Sequence, residues 1–192
     1  MMKDTTKIIQ ALAYLAGKEE DKVMDNMKAY KLLWLADRYH LRQTGRTITG
    51  DAYYAMPHGI VPSDAKCVLE NSKTKMRNPR GYKGRFIVNK GGHSFMAVAE
   101  ADLSVFSDSD QEALDKVYAA FGHLDAKELS ELSHQFPEWM FYRELLKDKE
   151  QKNSYRVDLD HFFEDGPEND FFKESRELLH LTQELYHQYN RV

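Results

Sequence analysis

Met27–Pro62, MKAYKLLWLADRYHLRQTGRTITGDAYYAMPHGIVP, decides how this chain folds, because a long amphipathic helix runs directly into a polar, glycine-punctuated region. Apolar residues at Met27, Tyr30, Leu33, Trp34 and Leu41 recur at helical spacing, Arg42 falls in the last turn, and Gly45 stands where a left-handed terminator belongs. The spacing predicts a helix over 23–43, with the turn region folding back upon it. Upstream, Ile8, Ile9, Leu12, Leu15 and Ala16 keep the same period, so a first amphipathic helix is expected over 5–16, capped near Asp4 or Thr5. That stretch does not read as a secretory leader: Asp4 precedes it, Gln10 interrupts it, and Glu19, Glu20 and Asp21 replace the small residues of a cleavage site.

Downstream, a third helix is expected over 62–71, started by Pro62 or Ser63. The period then changes: Arg85–Asn89 and Ser94–Glu100 alternate as strands, joined by Lys90, Gly91, Gly92 and His93 with hairpin-turn chemistry. Ser107, with Asp110 or Gln111, opens a helix that runs to Phe121 and stops at Gly122. Asp125 and Glu128 form the capping-box pattern of the next, which turns Leu129, Leu132 and Phe136 inward before Pro137. Residues 153–165 are acidic and aromatic and read as a linker with one helical turn. From Pro167 a terminal helix is expected to bury Phe171, Leu178, Leu181, Leu185 and Tyr189.

With 192 residues, 42% hydrophobic and 12% aromatic, the chain can bury one good core, so one domain with an appendage is expected. No run approaches the roughly 18 to 20 apolar residues of a membrane span. The lone Cys67 cannot build a disulfide framework, which agrees with a cytoplasmic address. The formal charge of −4 points to no nucleic-acid partner, but it is unevenly spread. Residues 71–99 hold seven basic side chains (Lys73, Lys75, Arg77, Arg80, Lys83, Arg85, Lys90) and no acidic one, leaving −11 for the remainder.

The order KLLWLAD (31–37), a gap, then TGRTITGDAYYAMPHGIVPS (44–63) resembles the Panacea, or SocA-like antitoxin, domain of bacterial and phage toxin–antitoxin pairs. The block VFSDSDQEALDKVYAAFGHLDAKELSELSHQFPEW (105–139) is similar to that family's second half, so the resemblance spans about residues 5–142. The chain departs from the family pattern at Ile60, where many relatives have proline in a GPVP turn. The resemblance implies an antitoxin that binds a toxin encoded by a neighbouring gene and neutralises it by direct complex formation or by delivering it to a cellular protease. The expected fold is α+β and predominantly helical: a helical core, a small antiparallel β-hairpin and a C-terminal amphipathic helix. Residues 1–149 would form the family-like domain and 150–192 a helical extension packed on or beside it.

No motif predicts an enzyme. The glycines near 45, 50 and 59 make neither a P-loop nor a dinucleotide fingerprint, the serines lack a nucleophile elbow, and Cys67 reads as a small buried hydrophobe. Glu177, His180, Glu184 and His187 share a helical face as two Glu-x-x-His units, but di-iron bundles place such units on separate helices, so a solvated face is expected and no metal or cofactor. Asp37 and His40 read as a capping or surface pair, and Trp34 as core. Trp139 heads a dense apolar run, Met140, Phe141 and Tyr142, covered by either the terminal helix or a partner.

The expected partner-binding residues are Tyr54, His58, Ile60, Arg77, Arg80, Tyr82, His134 and Trp139. His58 and His134 read first as residues that lock a turn and a helix junction. The alternative is a nucleic-acid-binding regulator that uses the basic 73–90 segment and the hairpin as a wing.

Overall fold

The computed structural model describes residues 5–70, 80–148, 152–167 and 170–190. The chain forms α1 (Thr6–Gly17), β1 (Val23–Asp25), α2 (Asn26–Thr44), the strands β2 (Tyr53–Met56) and β3 (Gly59–Pro62), and α3 (Ser63–Leu69). After the undescribed residues 71–79 come α4 (Arg80–Phe86), β4 (Ile87–Gly91), β5 (Ser94–Ala97), α5 (Asp108–Phe121), α6 (Ala126–Ser133), α7 (Pro137–Met140) and α8 (Arg143–Lys147). The chain ends with β6 (Tyr155–Arg156), a 3-10 turn at Leu159–Phe163 and α9 (Arg176–Asn190). The fold is α+β and predominantly helical.

The axis of the molecule is α2. Asp25 caps it by accepting from Met27 N and Lys28 N at 2.7 and 3.1 Å, and Gly45 ends it at φ +76°, its N–H on Leu41 O. The predicted helix began at 23; the first three of those residues instead pair with β5 as β1. Sequence spacing gives α2 one apolar face, yet Lys31, Asp37, Arg38, His40 and Arg42 are buried beside Leu32, Trp34 and Leu35. Such a helix needs partners for its buried polar groups, and the surrounding elements supply them for each of these five side chains, leaving Arg38 Nη1 and the Tyr30 hydroxyl without a hydrogen bond.

Two small antiparallel sheets flank this axis. One has the order β1-β5-β4, with β5 paired to both neighbours; the other has the order β3-β2-β6. The predicted hairpin is β4–β5, but 80–86 is helical, and the strand begins at Ile87 rather than Arg85. Gly91, Gly92 and His93 turn the chain with φ of +82°, +58° and +62°. The β2–β3 hairpin, read from sequence only as a turn region, pairs Tyr53 with Pro62 and Met56 with Gly59 across the two residues Pro57 and His58.

Ser107 and Asp110 cap α5 reciprocally, and Asp125 and Glu128 do the same for α6, as expected. The start of α3 is different: no side chain within it caps it, and Asp51 accepts from Asp64 N and Ala65 N at 2.8 and 2.9 Å.

The 153–165 segment is no free linker. Tyr155 and Arg156 extend the sheet beside β2, and Phe162, Phe163 and Phe172 join the core. Arg42 holds this segment by donating to the carbonyls of Phe162, Glu164 and Phe172 and to Asp165 Oδ1, while Arg38 donates to Glu164 O. Helix α9 packs so closely on the end of α2 that a Cβ on Gly45 would lie 2.7 Å from Thr182 O. Its docked face carries Leu179, Thr182, Leu185 and Tyr186; of the expected row, Phe171 packs against the core and Leu185 lies over Gly45, whereas Leu181 and Tyr189 are 54% and 71% exposed. Thr182, buried at the centre of this face, donates its hydroxyl to Arg42 O at 3.1 Å.

Candidate partner-binding surface

The β2–β3 turn projects from the fold while its backbone is held from three helices. Lys31 Nζ on α2 donates to His58 O and Ile60 O, both at 2.8 Å. Ser130 Oγ on α6 donates to His58 O at 2.7 Å, and Trp139 Nε1 on α7 donates to Met56 O at 2.9 Å. Gly59 takes φ +97°, and a Cβ there would strike Ser133 Oγ and lie 2.7 Å from Lys31 Nζ. The side chains of Pro57 and His58 are left exposed.

Beside the turn, the rings of His134 and Trp139 stack at 4.0 Å between centroids. Burial, then the neighbouring Lys31 charge, lowers the pKa of His134. Trp139 is half-buried, whereas Met140, Phe141 and Leu145 beyond it are 49%, 64% and 39% exposed. Phe141 rests edge-on against Tyr142 at 5.0 Å and near His161 at 4.6 Å, so its ring is propped outward. Tyr142 is itself tied down through its hydroxyl to Arg156 O at 2.9 Å. Tyr54 lies on the outer side of β2, where Tyr54, Met56, Val61, Cys67 and Ser154 line a groove of about 260 Å³. Cys67 is thus half-exposed rather than the buried hydrophobe expected.

Four of the expected residues, Tyr54, His58, His134 and Trp139, therefore meet around one hairpin. Ile60 sits beneath them with its side chain fully buried, so it can shape this surface but not touch a partner. Arg80 and Tyr82 belong elsewhere, on α4 against α1 and β4; the Tyr82 hydroxyl accepts from Gln10 Nε2 at 2.7 Å. Arg77, Lys73 and Lys75 lie outside the described residues, as does residue 71 at the end of the predicted third helix. Lys83 donates to Val68 O and Asn89 Oδ1, which takes it from the basic patch into the fold.

Asp37 and His40 form no surface pair. Asp37 is buried and accepts from Ile48 N, Thr49 N, the Thr49 hydroxyl and, at 2.6 Å, the Tyr53 hydroxyl, so it organises the loop that leads into β2. Burial raises its pKa and these donors oppose the rise. His40 bridges Arg46 O and Ser109 Oγ. Trp34 Nε1 and Arg38 Nε both donate to Glu138 Oε1 at 3.0 Å, joining α2 to α7 inside the core.

On α9, Glu177, His180 and Glu184 are exposed, and His187 meets Asp160 at 2.7 Å. Among the described residues no group of three or more His, Cys, Asp or Glu is placed to hold a metal ion, and no helix is long and apolar enough to cross a membrane.

The model of the family described as antitoxin SocA-like, Panacea domain, matches residues 30–140. The chain belongs to this family. The match starts in α2 and ends with α7, so the Panacea region contains the β2–β3 hairpin and the three residues that latch it, Lys31, Ser130 and Trp139, and leaves out α1 and α9. No curated protein and no solved structure matches the chain. Membership ties the protein to toxin–antitoxin systems. Within the Panacea segment, the polar residues that carried the resemblance are largely occupied inward: Lys31 on the turn, Asp37 on the 48–53 loop, Asp51 on α3. The tip they hold leaves Pro57 and His58 exposed.

Proposed function

We propose that this protein is a non-enzymatic antitoxin that binds a toxin encoded by a neighbouring gene and neutralises it by direct complex formation. The binding face is the Pro57–His58 tip together with His134, Trp139, Met140, Phe141 and Leu145. The observation that carries the reading is the exposure of Met140, Phe141 and Leu145 on the stretch that follows Trp139, whose indole is one of the side chains from three helices that pin the turn. Clustered exposed apolar residues mark interaction sites, and a rigid platform reduces the ordering cost of binding. Delivery to a protease would need a second surface, and masking needs only this one. The nucleic-acid alternative is less favoured, because Lys83 is engaged internally on Val68 O and Asn89 Oδ1.

Co-expression tests the reading. The product of the adjacent gene should arrest growth alone, growth should recover with this protein present, and the two should co-purify at moderate salt. An adjacent product that is toxic but neither rescued nor co-purified contradicts it.

A further inference from the structure

Lys31 is fully buried, and its partners among the described residues are two carbonyls rather than a carboxylate. A buried cation without a counter-ion is costly, and an apolar side chain of similar length would avoid that cost. The fold nevertheless places the amine directly under the hairpin, where His58 O and Ile60 O flank Gly59, the residue at positive φ. We propose that Lys31 is a positioning residue for the toxin-facing surface: it sets the 56–60 turn from beneath, and the protonation of its amine governs how firmly that turn is held.

The ionisable neighbour shared with the turn is His134 on α6, which feels Lys31, His58 and, more weakly, Glu131. Glu138 on α7 is taken up by Trp34 and Arg38, and Lys28 on α2 pairs with Glu19 at 2.7 Å. Among the described residues no carboxylate pairs with Lys31 to fix its charge. Burial lowers its pKa to about 7, so the ammonium gives way to the neutral amine across neutrality. Because the closed turn holds the amine at a lower pKa than water does, protonation favours release of the turn, so the turn is held more firmly at pH 8 than at pH 6. Ser130 and Trp139 hold two carbonyls of the turn at either pH.

The toxin-facing half of this proposal rests on the antitoxin reading; the turn-holding half is tested on the isolated full chain. The Lys31 side-chain NMR signal and the protection of the 55–61 amides against hydrogen exchange are followed from pH 6 to pH 8. A His58→Gln/His134→Gln background removes imidazole titration. From pH 6 to pH 8 protection should rise at least fivefold with the midpoint of the Lys31 signal, and Lys31→Met should show low protection at both pH values. Protection that stays constant while Lys31 titrates overturns the proposal, and this readout holds even if Lys31→Met does not fold. With the toxin, Lys31→Met should bind at least tenfold more weakly. A loosened turn with unchanged toxin affinity overturns the toxin-facing half, whereas a wild-type chain that binds no toxin refutes the antitoxin reading while the turn-holding result still stands.

Discussion

At the scale of single residues, Lys31 shows how one buried group leaves a signature in stability. Its amine titrates near 10.5 unfolded and about 7 folded, so between these values the unfolded chain binds more protons and stability rises with pH. The Lys31 contribution grows by about 2 kcal/mol from pH 7 to pH 9. Urea unfolding at those two pH values should show this rise in the wild type and lack it in Lys31→Met; equal pH dependence in both would place the proton elsewhere. Gly59 is the second such residue. Gly59→Ala forces a side chain into positive φ and into the space of Ser133 and Lys31, and should destabilise the protein by more than ~2 kcal/mol in denaturant titration. A neutral result would mean that the turn is not seated as described. Neither role can be read from sequence, where Lys31 is one helical lysine among several and the site residues His58 and His134 stood out only through a family resemblance.

Among elements, those with local signals were legible and those with distant partners were not. The α2 terminator at Gly45 and the capping boxes of α5 and α6 involve residues within a few positions of one another, so local chemistry revealed them. Strands β1, β2, β3 and β6 have two to four residues each, too few to show alternation; β1 and β6 exist only because segments far along the chain pair with them. The expected terminal row is legible in part: Phe171 and Leu185 pack inward, while Leu181 and Tyr189 point outward and Thr182 holds a buried place that hydrophobic periodicity does not mark. The joint between α2 and α7 belongs to the same class of distant contact. Glu138→Ala removes the carboxylate that Trp34 and Arg38 share and strands a fully buried guanidinium, which should cost about 3–5 kcal/mol. Thermal unfolding checks this; a loss under ~1 kcal/mol would show that the pair is not desolvated.

For the whole molecule, the fold divides its residues between holding and presenting. Polar residues of the Panacea segment turn inward to pin loops and helix starts, Arg38 and Arg42 draw the 153–172 region into the core, and the hairpin tip with Met140, Phe141 and Leu145 is left to solvent. Sequence placed Trp139 at the head of an apolar run but could not say what covered it; the structure leaves Met140 and Phe141 open. Binding of the toxin at this face is the central claim, and calorimetry of the purified toxin with wild type and Phe141→Glu is its most direct test. Phe141 is 64% exposed and buries little of the core, so the variant should keep the wild-type circular dichroism and unfolding midpoint. The account predicts that its affinity falls at least ~30-fold, the loss of about 2 kcal/mol expected of an aromatic anchor. A folded Phe141→Glu that binds the toxin as tightly as the wild type would contradict it.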